Sequence, residues 1–204
     1  GFFKENINLS SELREIDGVL NNIVSSCIKN NNFKAEKGEA KNIFVNKDIK
    51  NIILVGLGEE AKYNSEALTN VIADVSKMLR DSETEKFSIH LNSFKNKKLE
   101  EDEIVEKVAL SSLIGLYRFT EFKTKDKDKI KTIKQITLIT NSNKNFGKEL
   151  NFASVVADAV NKTRDLINTP PNIATPDYVA NYAKEIAKNS GLKSTVFDER
   201  QIEW

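Results

Sequence analysis

The run Asn51–Gly58, NIILVGLG, constrains the fold more than any other segment. It is apolar almost without a break and ends on the glycines Gly56 and Gly58. A strand with one wet face alternates apolar and polar residues, whereas a continuous run belongs to a strand covered on both faces. This predicts a sheet lying between helices. Asn42–Asn46 reads as a shorter strand before it, with Asn51–Val55 as the central one. Ser65 then precedes a helix whose stripe is Leu68, Val71, Ile72, Val75, Met78 and Leu79. Strand, glycine turn and helix is also the order of a phosphate-binding loop. Here, however, G-L-G is not G-x-G-x-x-G, and six residues separate Gly58 from Ser65. A simple turn at the end of a central strand is the favoured reading.

The flanking segments extend this pattern. Ser10 and Ser11 can cap a helix, and Leu13, Ile16, Leu20, Ile23, Val24 and Cys27 follow at helical spacing. Cys27, on that stripe and without a basic cluster beside it, is read as buried filler rather than a reactive thiol. Lys86–Phe94 alternates as a half-buried strand, with Phe87, Ile89 and Leu91 on one face and His90 on the other. His90 is the only histidine, and with no Cys–His cluster it is read as solvated, not as a metal ligand. Glu100–Tyr117 is a helix apolar nearly all round, hence buried on more than one side. Its Ser111, Ser112 and Gly115 are small enough for a neighbour to approach closely. Lys123–Lys134 holds six lysines and two aspartates without interleaved aromatics, which favours a solvated loop over a nucleic-acid patch. Lys134–Thr140 is the next strand.

Charge and cysteine content exclude several classes. With 31 basic and 30 acidic side chains the formal net charge is +1, which argues against broad nucleic-acid binding. One cysteine permits no internal disulfide and fits a reducing, cytoplasmic setting. No apolar run is long enough to cross a membrane, and the start, GFFKENINLSS, does not read as a signal peptide. Met78 is the only methionine and the chain stops in a polar stretch, so a piece of a longer polypeptide is expected.

The last third has a different character. Leu150, Ala153, Ala157 and Val160 mark a long helix from about Lys148 to Ile167. Asn168–Asn172, NTPPN, carries adjacent prolines that cannot continue it. Thr175 before Pro176 opens another helix, with Val179, Tyr182, Ala183, Ile186 and Ala187 as its stripe and Gly191 as its stop. Leu192–Phe197 reads as one more strand. Because the partner strands of such a unit are missing, Tyr178, Val179, Ile186 and Val196 should be unusually exposed, or covered by another copy of the chain.

Thr163–Ala187, TRDLINTPPNIATPDYVANYAKEIA, resembles the start of the catalytic domain of leucyl aminopeptidases, the M17 peptidases. The family pattern R-D-L-x-N-x-P-x-N, then T/S-P and an A-x-x-A helix, falls on Arg164, Asp165, Leu166, Asn168, Pro170, Asn172, Thr175, Pro176, Ala180 and Ala183. Leu54–Gly58 and Gly115–Lys125, GLYRFTEFKTK, are similar to upstream stretches of the same family, in the same order. The resemblance implies a macro-domain-like α/β fold, a three-layer sandwich with a mixed sheet, over residues 1–147. A linker helix and proline elbow over 148–172 and the truncated start of a second α/β domain, the peptidase domain, over 173–204 would follow. Family members also carry a strand before the point where Gly1 stands.

The resemblance further implies removal of N-terminal amino acids from peptides by a cytosolic hexamer holding two divalent metals, zinc or manganese. Those metal ligands lie beyond this chain, so no catalytic, metal or cofactor residue is carried over and the chain itself is expected to be inactive, serving assembly and active-site access. Arg164, Asp165, Leu166, Asn168, Pro170, Asn172 and Pro176 are read as a structural junction; for Pro170 and Pro171 a rigid elbow is favoured over a direct part in placing subunits, and for Arg164 and Asp165 a buried ion pair and a cap are both open. The rival reading is a macro-like binding module for a nucleotide-type ligand or DNA. The glycine turn speaks against the nucleotide and the near-zero net charge against DNA.

Overall fold

In the computed structural model, residues 1–30, 32–45, 50–82, 84–125, 130 and 132–202 are described. Asn46, the end of one expected strand, and much of the lysine-rich segment fall outside them. The chain divides into two compact units, Gly1–Asp158 and Ala159–Trp204.

The first unit is organised around β3 (Asn51–Gly58), the continuous apolar run. It pairs parallel with β1 (Phe2–Phe3) and antiparallel with β2 (Ala40–Phe44), giving the order β1-β3-β2. A second sheet pairs β4 (Lys86–His90) parallel with β5 (Gln135–Ile139) in the register Lys86↔Gln135 to His90↔Ile139. Side chains of β3 alternate between two cores. Ile52 and Leu54 join Phe2, Val24, Phe33 and Ile43, the core beneath α1 (Ser11–Val19) and α2 (Ile23–Lys29). Ile53, Val55 and Leu57 join Leu68, Ile72, Ile104 and Val108, the core beneath α3 (Ser65–Arg80) and α4 (Glu101–Gly115). Both faces of β3 are therefore covered by helices, as its composition requires.

Packing details follow from small residues. A Cβ on Gly115 would lie 2.5 Å from the Ala73 carbonyl oxygen, so α3 and α4 approach at the closeness that only glycine permits. Ser111 and Ser112 of α4 are buried as well, and Ser111 Oγ donates to the Lys107 carbonyl at 2.5 Å. Asn64, not Ser65, caps α3: its side chain accepts from Ala67 N at 2.9 Å, and Ser65 is already helical.

Three expectations are corrected. The stripe Leu13–Cys27 is two helices, not one. Asn21 and Asn22 take the left-handed conformation (φ 56° and 58°), which asparagine tolerates better than most residues. The buried Asp17 carboxylate restarts the chain, accepting from Val24 N at 2.8 Å and Ser25 N at 3.1 Å. Cys27 is half-buried against this core. The strand at Lys86 stops at His90, where the pairing with β5 ends. Leu91–Phe94 then forms a 3-10 turn that buries Leu91 and Phe94, and Ser93 Oγ donates to the His90 carbonyl at 2.7 Å.

The third correction lies in the second unit. The last part of α5 (Gly147–Asn168) leads to α6 (Pro176–Asn189). Gly191 ends α6 with φ 68°, and Leu192 N donates to Ala187 O at 2.8 Å. Leu192–Phe197 is not a strand. A strand needs a ladder partner for its backbone groups, and among the described residues no strand pairing reaches this segment. Val179, Ile186 and Val196 are exposed (46%, 42% and 39%), while Tyr178 is half-buried.

Candidate functional site

The junction motif forms a hydrogen-bonded turn between two helices. α5 ends where Thr169, which is buried, folds back on Asp165: its N–H and its hydroxyl both donate to the Asp165 carbonyl, at 3.0 and 2.7 Å. Pro170 has no N–H to continue the helix. Its carbonyl instead accepts from Ile173 N and Ala174 N, each at 2.9 Å. Thr175 N donates to Ile173 O at 2.8 Å, and Thr175 Oγ1 accepts from Tyr178 N at 3.3 Å, capping α6 with Pro176 in its first turn. Arg164 Nη1 donates to Asn161 Oδ1 at 3.3 Å. Arg164, Asp165 and Leu166 are half-buried, while Asn168, Asn172 and Pro176 are exposed. The turn is held by hydrogen bonds between residues two to four positions apart.

The glycine turn is equally occupied. Gly56 N donates to Glu39 O at 2.7 Å and Gly58 N to Ala35 O at 3.0 Å. A Cβ on Gly56 would sit 2.1 Å from Glu36 O. These glycines admit a crossing stretch of this chain's own backbone, and the amides that a phosphate would need are already donating. Arg80 and Arg118 line a cleft of about 180 Å³ with Leu116, Thr120 and Thr132. Arg80 Nε and Nη2 are held by Asp81 at 3.1 Å each, and its Nη1 donates to the Tyr117 carbonyl. Arg118 also reaches Asp81. One carboxylate thus serves both guanidiniums and its own pKa is lowered, first by the hydrogen bond from Arg80.

His90 departs from its solvated reading. Its Nε2 lies 3.0 Å from Glu12 Oε2, its side chain is 20% exposed, and its Nδ1 is buried without a partner. Glu12 also accepts from Asn141, so one carboxylate on α1 ties the ends of β4 and β5. Beside it Glu101 accepts from Lys95 Nζ at 2.8 Å and Thr140 Oγ1 at 3.0 Å. The Lys95 hydrogen bond, followed by those from Ser142 and Thr140, pulls the Glu101 carboxyl down to about 2. The Glu12 contacts were not visible in the sequence, because the partners are 78 and 129 residues away and nothing local marks them. Among the described residues, no group of three or more His, Cys, Asp or Glu side chains could hold a metal ion, and no helix is long and apolar enough to cross a membrane.

Residues 1–126 match the family model described as cytosol aminopeptidase family, N-terminal domain. A probable cytosol aminopeptidase of Sulfurihydrogenibium is 31% identical over 98% of this chain and 40% of its own length. That of Persephonella marina is 27% identical over 98% of this chain and 41% of its own. The chain thus spans about two fifths of the length of these curated relatives. In structure it is similar to a mutant of tomato leucine aminopeptidase, with a TM-score of 0.80, 19% identity, and coverage of 98% of this chain and 41% of that one. It is also similar to the bottromycin maturation enzyme BotP, with a TM-score of 0.71, 19% identity, and coverage of 85% and 36%. At such identities the structural likeness speaks for the fold, and the sequence matches speak for the family. The chain belongs to the cytosol aminopeptidase family, of which it carries the N-terminal domain.

Proposed function

We propose that this chain is the N-terminal portion of a cytoplasmic, metal-dependent leucyl aminopeptidase that removes N-terminal amino acids from peptides. The observation that carries the reading is the 31% identity to a probable cytosol aminopeptidase along 98% of the chain. In this reading residues 1–147 are a macro-like α/β domain, 148–172 the linker helix and elbow, and 173–204 the start of the peptidase domain. Arg164, Asp165, Leu166, Asn168, Pro170, Asn172 and Pro176 fix the path of the chain between the two domains. The portion serves assembly of a hexamer and access to the active site. Two divalent metals, zinc or manganese, belong to the remainder of the enzyme, where they activate a water and polarise the scissile carbonyl. No metal-dependent step is assigned to residues of this chain.

The rival reading of a module for a nucleotide-type ligand would need free amides at Gly56 and Gly58, and these donate to Glu39 and Ala35; against a DNA-binding module stands the formal net charge of +1. The test is hydrolysis of a leucyl amide with zinc or manganese added. The 204-residue chain should give no turnover, and the polypeptide extended downstream to the length of its relatives should be active. Turnover that scales with the concentration of the short chain, or none from the extended one, contradicts the proposal.

A further inference from the structure

The ends of α3 and α4 meet at a cleft of about 180 Å³, whose residues all belong to the first compact unit. α3 ends on Arg80, and α4 ends on Gly115, just before Leu116 and Arg118. The two arginines that line the cleft are used differently. Arg80 is committed to the fold: Nε and Nη2 donate to Asp81, and Nη1 donates to the carbonyls of Tyr117 and, at 3.5 Å, Gly115. Arg118 gives only Nη2 to Asp81, and among the described residues no other partner holds its side chain. Its Nε and Nη1 keep their N–H donors, on a planar fork that matches a carboxylate. The Arg118 side chain is 30% exposed, so it is placed by its neighbours yet open to a solute.

We propose that this cleft binds a small aliphatic monocarboxylate, whose carboxylate is taken by Arg118. Charge sets the valence. Two guanidiniums beside the single carboxylate of Asp81 leave one positive charge uncompensated, and among the described residues no acidic side chain lines the cleft. A monoanion neutralises that charge, whereas a phosphate dianion exceeds it and is repelled by Asp81. The walls set the body of the ligand. Leu116 and Ile133 offer apolar surface, and Thr120 and Thr132 bring hydroxyls that can bond the second carboxylate oxygen. An apolar lining with a few polar groups is the usual make-up of a small-molecule site, and a volume below the roughly 300–1,000 Å³ of drug-sized sites limits the ligand to a short carbon chain. The site does not depend on the peptidase reading, because it needs no residue beyond this chain.

The probe is isovalerate, titrated as its sodium salt at constant pH and ionic strength into the 204-residue chain. Binding is read in nitrogen–proton correlation NMR from the arginine Nε–H resonances and the backbone amides of Leu116 and Thr120. The Arg118 resonance is assigned by its loss in Arg118→Lys. It should move most, with half-saturation in the ~mM range that so small a ligand can reach. Arg118→Gln, followed through the backbone amides, should bind at least about tenfold more weakly. Arg118→Lys keeps the charge without the fork and should fall between the two. On the unsubstituted chain, isoamyl alcohol has the same body without the charge and should leave the resonances in place. Inorganic phosphate should need at least about tenfold more ligand than isovalerate. These last two comparisons decide the matter even if a variant fails to fold. The proposal is overturned by the absence of a saturable shift with isovalerate, by an equal response to isoamyl alcohol, by phosphate binding as tightly as isovalerate, or by unchanged affinity in a folded Arg118→Gln.

Discussion

Replacing Asp17 with alanine removes one carboxylate that organises the turn between α1 and α2. Asp17 is 1% exposed, and it accepts from Val24 N at 2.8 Å, Ser25 N at 3.1 Å and the Ser25 hydroxyl. Alanine would leave two first-turn amides of α2 without an acceptor, one of them buried. Loss of an N-cap costs about 0.5–2 kcal/mol. An orphaned buried donor costs about 1–3 kcal/mol. These figures overlap, since the cap is itself one of the hydrogen bonds, and together they suggest a loss of about 3 kcal/mol. For a cooperative unit the size of Gly1–Asp158 that lowers Tm by about 6–12 °C. Asp17→Asn keeps one acceptor oxygen but turns an amide nitrogen toward donors, so its Tm should fall between the two. The assay is thermal unfolding followed by far-UV circular dichroism, with urea midpoints as a second measure. A Tm for Asp17→Ala within about a degree of the parent would mean that α2 does not depend on this cap, and the account of the split helix would be wrong.

Two further perturbations test the polar contacts. Hydrogen bonding to Lys95, Ser142 and Thr140 holds the Glu101 carboxyl at about 2, below its usual 4.5. A depressed folded-state value stabilises fully above 4.5 and is lost as pH falls through 2. Glu101→Gln should therefore flatten the acid limb of the urea midpoint against pH in that window, less so at high salt; an unchanged slope contradicts the contact. Among the described residues the buried Ser76 and Ser112 hydroxyls, of α3 and α4, have no hydrogen-bond partner. Ser76→Ala should leave stability unchanged or raise it by up to about 1 kcal/mol, and a loss of more than that would reveal a partner for the hydroxyl.

What could be read from the sequence was what local pattern encodes. The composition of Asn51–Gly58 required cover on both faces, and β3 has it, with Leu54 on one core and Val55 on the other. The 3.6-residue stripes of α3 and α4 likewise gave helices whose ends are close to those expected. The misses share a different cause. Apolar spacing continued through Asn21 and Asn22, so periodicity could not see that a buried aspartate interrupts the helix. At His90 alternation also continued, but the strand ends where its ladder with β5 ends. Pairing is a property of two segments, and one segment's pattern cannot report where its partner stops.

The same reasoning separates the two ends of the junction. Thr169, Pro170, Thr175 and Pro176 act through bonds to residues at most four positions away, so the elbow was legible as a motif. Leu192–Phe197 is as strand-like in composition, yet a strand depends on a partner that local sequence cannot supply, and the segment takes no regular secondary structure. Leu192 and Phe197 are accordingly 65% and 61% exposed. Short-range hydrogen bonds define the turn between α5 and α6 without partners from distant residues. A turn defined by such short-range bonds depends on each of its own caps and carbonyl contacts, so a local motif can encode it, whereas a ladder needs two segments that pattern alone cannot bring together.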